Sequence, residues 1–301
     1  MKTLNCLIIL QIFILYTLSA QATGGQCGQN LTWTLAGGTL TVSGKGDMKD
    51  YNDTKAPWYT VRNSIKKVII EDGVTRIGNS TFFECTSIKE ASIGRNVKDI
   101  GRNAFYWCSS LDDISVDGGN TYYISEGGVL FNYDRTTIIQ YATGKRDANY
   151  TVPDGVTGIE HDAFSRCEHL VKITVSSSVT YIGQFAFAGC ILLREINIPA
   201  GVTVIGSNAF LFCTSLTSVI NSNPTPQIID DVFKFINTGN ISLQVPCESV
   251  KTYKHAPVWK SFGRIFHIAT PAAVPRAVSL LSASFNPETA IRITVIKKKK
   301  K

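Results

Sequence analysis

The chain has 301 residues, of which 44% are hydrophobic and 18% are charged, and it contains only two methionines. This composition is typical of a β-rich soluble protein with a well-buried core. The formal charge is +7, but Lys2 and the five lysines of Lys297–Lys301 carry six of these charges and leave +1 for the body of the chain. A body so close to neutral argues against a nucleic acid as the partner.

Residues 1–22 have the pattern of a secretory signal peptide. Lys2 is the positively charged start, Leu7 to Leu18 form the apolar core, and Ala20-Gln21-Ala22 is a small-x-small cleavage site. The apolar run is too short to favour a lasting membrane span. We therefore expect a protein that is secreted or held at the cell surface, with no integral membrane span after removal of the signal.

Residues 23–72 are predicted to form an N-terminal cap. Leu31–Leu35 and Leu40–Gly44, separated by Gly37-Gly38, have the alternation and the glycine turn of a β-hairpin. A terminal segment of this kind covers the open end of a stack of repeats, which keeps the stack soluble.

Residues 73–221 contain a repeat of 23 residues. Its valine position recurs at Val74, Val97, Val156, Val179 and Val202, and its phenylalanine position at Phe82, Phe105, Phe164, Phe187 and Phe210. A fixed period of about 20–29 residues is the signature of a solenoid of the leucine-rich type. Because one coil cannot bury its own apolar face, the coils must stack, and each column becomes a ladder of like side chains. The same period, counted back from Phe82, places Tyr59 in the phenylalanine column of a degenerate repeat within the cap.

Each coil is predicted to contain one strand, a second short extended segment of the pattern Val-Thr-x-Ile-Gly, as at residues 202–206, and two turns. Residues 193–198, Leu-Arg-Glu-Ile-Asn-Ile, alternate outward and inward, which favours a strand with one buried face. Pro199-Ala200-Gly201 turns the chain, and Asn208-Ala209-Phe210 makes a tight turn that directs the phenylalanine inward. Equivalent strands of neighbouring coils are expected to lie ~4.8 Å apart and to pair in parallel along one continuous sheet.

One insertion interrupts the array. Val97 and Val156 are 59 residues apart, which is one period plus 36, and residues 117–155 form the insertion. Within it, Gly128–Asn132 and Thr137–Tyr141 flank a short turn and predict a hairpin. We expect the insertion to behave as an enlarged coil and not as a separate domain.

A second cap is predicted to close the array over residues 222–268. Tyr253, Trp259 and Phe262 are expected to lie on the last coil. Residues 269–301 have the composition of a linker followed by a basic tail, and we expect them to be disordered.

These residues resemble a known family. Residues 179–199 read Val-Thr-x-Ile-Gly-x-x-Ala-Phe-x-x-Cys-x-x-Leu-x-x-Ile-x-Ile-Pro, which resembles the BspA-type leucine-rich repeat. The segments Cys27–Tyr59 and Val245–Phe262 are similar to the caps of such proteins, so the likeness covers about residues 24–268. The resemblance implies a right-handed leucine-rich-repeat array of 23-residue coils, a β-rich solenoid with N- and C-terminal caps and one hairpin insertion. It also implies a secreted or surface protein that adheres to host matrix proteins or to proteins of a partner cell. We expect the protein to be a monomer.

Five cysteines form one column of the repeat, namely Cys85, Cys108, Cys167, Cys190 and Cys213. Their spacing is wrong for the compact Cys pairs of a zinc site, and side chains stacked in one column point the same way and do not face one another. We expect buried free thiols that act as small hydrophobes, with disulfides as the alternative. No metal and no cofactor is predicted.

The outward strand positions are the candidate partner-binding residues, because solenoids bind partners on such extended repeated surfaces. They are Glu90, Ser92, Asp113, Ser115, Lys172, Thr174, Glu195 and Asn197. Simple solvation of a sheet face accounts for these short polar side chains about equally well. The hairpin tip Tyr133-Asp134-Arg135 is a second candidate.

Two further functions stay open beside adhesion. A passive surface or spacer protein would have no saturable partner. An exported enzyme would use His161 or His169, which have no counterpart in the other repeats. An enzyme would also need a concave pocket with converging titratable groups, and nothing in the spacing of the histidines argues for one.

Overall fold

The alternating run of each repeat forms a short strand with one buried face. In residues Glu195–Ile198, for example, Ile196 and Ile198 are buried while the two polar side chains between and before them are partly exposed. The computed structural model of the protein describes residues 23–51 and 56–268. The predicted signal peptide 1–22 and the predicted linker and tail 269–301 lie outside the described residues.

The first sheet joins the N-terminal cap to the first coils. Its strands, in spatial order, are β1 (Thr23–Gln26), β2 (Leu31–Ala36), β3 (Thr39–Gly44), β5 (Lys67–Ile70), β7 (Glu90–Ile93) and β9 (Asp113–Val116). The strands β1, β2 and β3 are antiparallel, which confirms the hairpin predicted in the cap. From β3 to β9 the pairing is parallel, as stacked coils require. A small sheet runs beside it through β4 (Gly46–Asp47), β6 (Val74–Ile77) and β8 (Asp99–Ile100).

Two further sheets form the C-terminal half. One contains β10 (Tyr123–Glu126), β11 (Val129–Asn132), β12 (Thr137–Tyr141), β14 (Gly158–Ile159), β16 (Tyr181–Ile182) and β18 (Val204–Ile205). The other contains β13 (Asn149–Thr151), β15 (Lys172–Thr174), β17 (Glu195–Ile198), β19 (Ser218–Asn221), β20 (Ser242–Val245) and β21 (Arg264–His267). Helical structure is limited to the single turn α1 (Val250–Tyr253) and the 3₁₀ segments Tyr59–Ser64, Thr238–Asn240, Cys247–Ser249 and Trp259–Ser261. None of these helical segments, within the described part of the chain, has the length and hydrophobicity to cross a bilayer.

The phenylalanine column forms the centre of the core, as predicted. Ring centroids lie 5.3 Å apart for Phe82–Phe105, 5.2 Å for Phe164–Phe187 and 5.4 Å for Phe187–Phe210. The column continues into the C-terminal cap through Phe233 and ends on Trp259 and Phe262. Tyr253 and Trp259 are fully buried there and Phe262 nearly so, which confirms that these aromatic residues cover the last coil.

The prediction for Tyr59 is wrong by one residue. Trp58 occupies the column instead: it is fully buried and its ring stacks 5.6 Å from that of Phe82. Tyr59 is only partly buried and donates its hydroxyl to Glu84 Oε2 at 3.0 Å. A 3₁₀ segment begins at Tyr59 and lengthens this first spacing, so the strict period counted back along the chain fails here.

The prediction of one continuous sheet is also wrong. The strands β9 and β13 belong to different sheets, and the strands β10, β11 and β12 of the insertion continue neither of these sheets but form a third one with β14, β16 and β18. The predicted hairpin is present as the antiparallel pair β11–β12, and β12 pairs in parallel with β14 of the next coil. The core is accordingly divided into two clusters: Leu130 of the insertion belongs to the N-terminal one, and Phe131 to the C-terminal one. The insertion therefore acts as an irregular coil that joins two blocks of regular ones.

Candidate protein-binding faces

The eight predicted binding residues fall into two groups of four on separate sheets. On β7 and β9, Glu90 lies directly beside Asp113 and Ser92 beside Ser115, and we call this the N-face. On β15 and β17, the same relation joins Lys172 to Glu195 and Thr174 to Asn197, and we call this the C-face. The register of the paired strands therefore aligns the four residues within each face, but the insertion prevents all eight from forming one uninterrupted row.

The N-face carries accessible charge next to small hydroxyl groups. Lys67 Nζ lies 2.9 Å from Glu90 Oε2, and both side chains are exposed. Such exposed ion pairs contribute only about 0–1 kcal/mol to stability, so Glu90 remains available to another cation. Ser115 Oγ donates to Ser92 Oγ at 3.1 Å, and both hydroxyls are partly exposed.

A shallow groove of about 560 Å³ runs along the N-face. Besides Ser92 and Ser115, it is lined by the strand residues Ile69, Ile70, Ile93 and Val116 and by the residues that follow the strands, Glu71, Asp72, Gly73, Gly94 and Asp117. Sequence reasoning missed Ile69 and the two aspartates, although counting one repeat back from Ser92 leads to Ile69. The groove therefore combines an apolar floor with carboxylates at its margin.

Arg95 links the two aspartates at this margin. Its backbone N–H donates to Asp72 Oδ1 at 2.9 Å and its Nε donates to Asp117 Oδ1 at 3.2 Å. The backbone N–H of Gly119, and after it the Arg95 guanidinium, hold the pKa of the Asp117 carboxyl below its usual value. Asp117 therefore stays ionised down to lower pH than a free aspartate would.

The C-face becomes less polar toward the C-terminal cap. Lys172 and Thr174 are exposed, whereas Glu195 and Asn197 are partly buried. The row that contains Thr174 and Asn197 continues through Ile220 and Gln244 to Phe266. Asn197 Oδ1 is buried without a hydrogen-bond partner in the described structure.

The hairpin tip is an exposed second candidate. Tyr133 is 51% exposed, and Arg135 forms an ion pair with Glu126 on the neighbouring strand. Arg135 also adopts a positive φ of 58°, which the tight turn requires. The tip thus presents one aromatic and one basic side chain, both of which are common at binding hot spots.

The histidines do not converge on a catalytic group. His161 Nε2 lies 2.8 Å from Asp162 Oδ2, and its ring contacts Phe185 edge-on at 5.7 Å. His169 is exposed. A histidine–carboxylate pair lacks the nucleophile of a triad. In residues 23–51 and 56–268 no group of three or more His, Cys, Asp or Glu side chains is placed to hold a metal ion.

The cysteine column forms free, buried thiols. Their S–H groups point to the coil before: Cys108 donates to Phe82 O at 3.2 Å, Cys190 to Phe164 O at 3.1 Å and Cys213 to Phe187 O at 3.2 Å. Burial raises the pKa of Cys190 to about 12, so the thiolate needed for nucleophilic or metal chemistry does not form at neutral pH. The role of the column is structural.

A capped stack of repeats with polar outward strand faces defines a solenoid of the leucine-rich class, and proteins of this class generally bind other proteins and are not enzymes. The family model of the BspA type leucine rich repeat region matches in six copies, over residues 58–134 and 136–256. The chain belongs to this family. The fold fits a protein-binding role.

Solved structures of bacterial repeat proteins are similar to this chain. A leucine-rich repeat protein from Eubacterium ventriosum is 24% identical, with 75% of this chain and 78% of that chain covered and a TM-score of 0.43. The pneumococcal vaccine antigen PcpA is 16% identical, with 82% and 99% covered and a TM-score of 0.44. A leucine rich cell surface protein from Faecalibacterium prausnitzii is 17% identical, with 82% and 95% covered and a TM-score of 0.37. No curated protein matches the chain.

Proposed function

We propose that this protein is exported and adheres to a protein partner, a host matrix protein or a protein on another cell, through the N-face. The observation that carries the proposal is the groove along this face, which is bordered by the predicted residues Ser92 and Ser115. Export is supported by the pattern of residues 1–22. The protonated, buried thiol column is compatible with an oxidising exterior, because such thiols are inert.

The chemistry of the N-face indicates the kind of partner surface. Glu90 and Asp113 lie side by side on its strands, and Asp72 and Asp117 line its groove. Lys67 pairs with Glu90, and Arg95 donates to both Asp72 and Asp117. A partner with a lysine- or arginine-rich patch and one or two apolar side chains complements this face, and its association should weaken as salt is added.

Binding of the purified full chain to immobilised matrix proteins and to whole cells tests the proposal. Replacing Glu90 and Asp113 together by lysine should weaken binding at least tenfold, about 1.4 kcal/mol, because two attractive charges become repulsive. The matched control is Glu195→Lys, which reverses a charge on the C-face and should leave binding unchanged.

Three results would contradict the proposal in different ways. Saturable binding that the N-face reversal leaves intact would retain adhesion and reject the N-face. Loss of binding only in Glu195→Lys would move the site to the C-face. Absence of binding to every matrix protein and cell type would reject adhesion and favour a passive spacer.

A further inference from the structure

Neighbouring coils are joined at their tight turns by a short ladder of backbone hydrogen bonds. Between the first two regular coils, the bonds are Ser80 N to Arg102 O at 2.9 Å, Phe82 N to Ala104 O at 2.8 Å and Glu84 N to Tyr106 O at 3.0 Å. Equivalent bonds join the next pair of coils, from Asp162 N to Gln184 O, Phe164 N to Ala186 O and Arg166 N to Ala188 O. These N–H groups therefore point along the axis of the stack, toward the following coil.

The ladder is broken where the insertion separates the two blocks. In the described part of the chain, no acceptor receives the equivalent N–H groups of Asn103, Phe105 and Trp107. On the opposite wall, the N–H of Tyr141, from the insertion, already donates to the carbonyl of Ala163 at 2.7 Å, whereas the carbonyl of His161 receives no N–H from the described residues. Phe105 is 2% exposed, and a buried amide without a partner is rare because it loses its hydrogen bond to water.

A cleft of about 220 Å³ lies between these two walls. Residues 101–105 line one side and residues 160–162 the other, with Leu130, Ile139 and Gln140 of the insertion between them. The cleft is smaller than the ~300–1,000 Å³ of pockets that hold whole cofactors or drug-sized ligands. It fits a short piece of extended chain.

Glu160 gives the cleft a distinct chemistry. The equivalent residue is glycine in the other regular coils, at Gly78, Gly101, Gly183 and Gly206. A Cβ there would lie 2.5 Å from Asn79 N at Gly101 and 2.6 Å from His161 N at Gly183, because the preceding coil is in contact. No regular coil precedes Glu160, so a side chain is accommodated, and that side chain is a carboxylate. Tyr181 donates its hydroxyl to Glu160 Oε1, and Oε2 has a longer contact of 3.4 Å with the His161 N–H.

We propose that this junction cleft binds an extended peptide segment of a partner protein that carries lysine or arginine. The carbonyls of the segment accept the N–H groups of Asn103 and Phe105, and one of its own N–H groups donates to the carbonyl of His161. The basic side chain reaches Glu160. The peptide thus replaces the missing rung of the ladder, as a peptide that adds to the edge of a sheet does. The inference rests on the proposed protein-binding function but assigns a site separate from the N-face.

Binding of the full chain to an array of hexapeptides tests this site. The peptides are acetylated and amidated at their ends and carry Lys, Arg, Gln or Glu at one central position. Peptides with Lys or Arg should be retained in preference to those with Glu. Glu160→Gln should weaken their binding about fivefold or more by removing a charge-assisted hydrogen bond. Arg102→Gln should strengthen it, because this exposed arginine borders the same cleft. Glu248→Gln removes an exposed carboxylate from the C-terminal cap and serves as the matched control without effect.

Two further measurements keep the outcome decisive. Hydrogen exchange of the Asn103 and Phe105 amides should slow when a retained peptide is added, while that of Ser80 is unchanged. Glu160→Gly gives this coil the residue of its neighbours and should reproduce the loss seen in Glu160→Gln. If no peptide is retained, if Glu and Lys peptides bind equally, or if the amides do not respond, the cleft holds only water and the proposal fails. Matrix binding that persists in that case leaves the adhesion proposal intact, whereas peptide binding without any matrix or cell partner rejects adhesion alone.

Discussion

Truncation of Phe187 to alanine tests whether the coils share one dry interior. Phe187 is fully buried, and its ring stacks between Phe164 at 5.2 Å and Phe210 at 5.4 Å. A buried Phe→Ala change costs about 3–5 kcal/mol through lost burial and the cavity that remains. Each aromatic contact adds roughly 0.5–1.5 kcal/mol, so we expect a value near the upper end of that range. The cysteine bond to the Phe187 carbonyl should persist, because it involves only the backbone.

Equilibrium unfolding in urea, monitored by far-UV circular dichroism, measures this loss. The matched control is Phe212→Ala, in the same coil as Phe210: Phe212 is 46% exposed and stacks only on Phe235 among the described rings. Exposed positions of this kind usually change the free energy of unfolding by no more than about 0.5 kcal/mol. If Phe187→Ala cost no more than Phe212→Ala, the stacked column would not be the core of the fold.

Three other outcomes follow from the structure. Burial raises the pKa of the Cys190 thiol from 9.0 to about 12. The contribution of this protonated thiol to stability is therefore fully present below pH 9.0 and is lost as the pH rises toward 12. Between pH 9.0 and 12, the free energy of unfolding should fall less steeply in Cys190→Ala than in the unchanged protein. A thiol reagent should label the exposed Cys247 of the native protein rapidly and Cys213 only after unfolding, as mass spectrometry of digested samples would show. N-terminal sequencing of the exported protein should begin at Thr23, and retention of residues 1–22 would contradict the signal-peptide prediction.

The 23-residue period was sufficient to predict which residues of the regular coils are buried, but it failed where the spacing between coils changes. Phe187 and Cys190 lie where the repeat places them, because identical coils in contact must bury identical positions. Trp58 displaces Tyr59 because a 3₁₀ segment alters the first spacing, and local turn geometry is invisible to a count of residues. The predicted boundaries of the caps and of the insertion stay predictions.

The candidate sites show the same division. Register within each sheet follows from the repeat, so the pairing of Glu90 with Asp113 was predictable. The sequence did not predict whether the N-face and the C-face form one surface, because the length of an insertion does not reveal which strands pair with it. Glu160 was a visible signal that sequence reasoning missed: it is the one non-glycine among the equivalent positions of the five regular repeats.

The division of the core at the insertion has a consequence for how this chain can evolve. Each block has its own aromatic column and its own terminal cap. The irregular segment separates the two columns, although Arg166 of the C-terminal block lies 4.0 Å over the ring of Trp107 in the other block. Duplication or loss of a single repeat unit in the C-terminal block would therefore change the length of that block and leave the strand pairing of the N-terminal block unchanged. Recombination between related genes would thus change the length of the C-terminal block without changing the N-face.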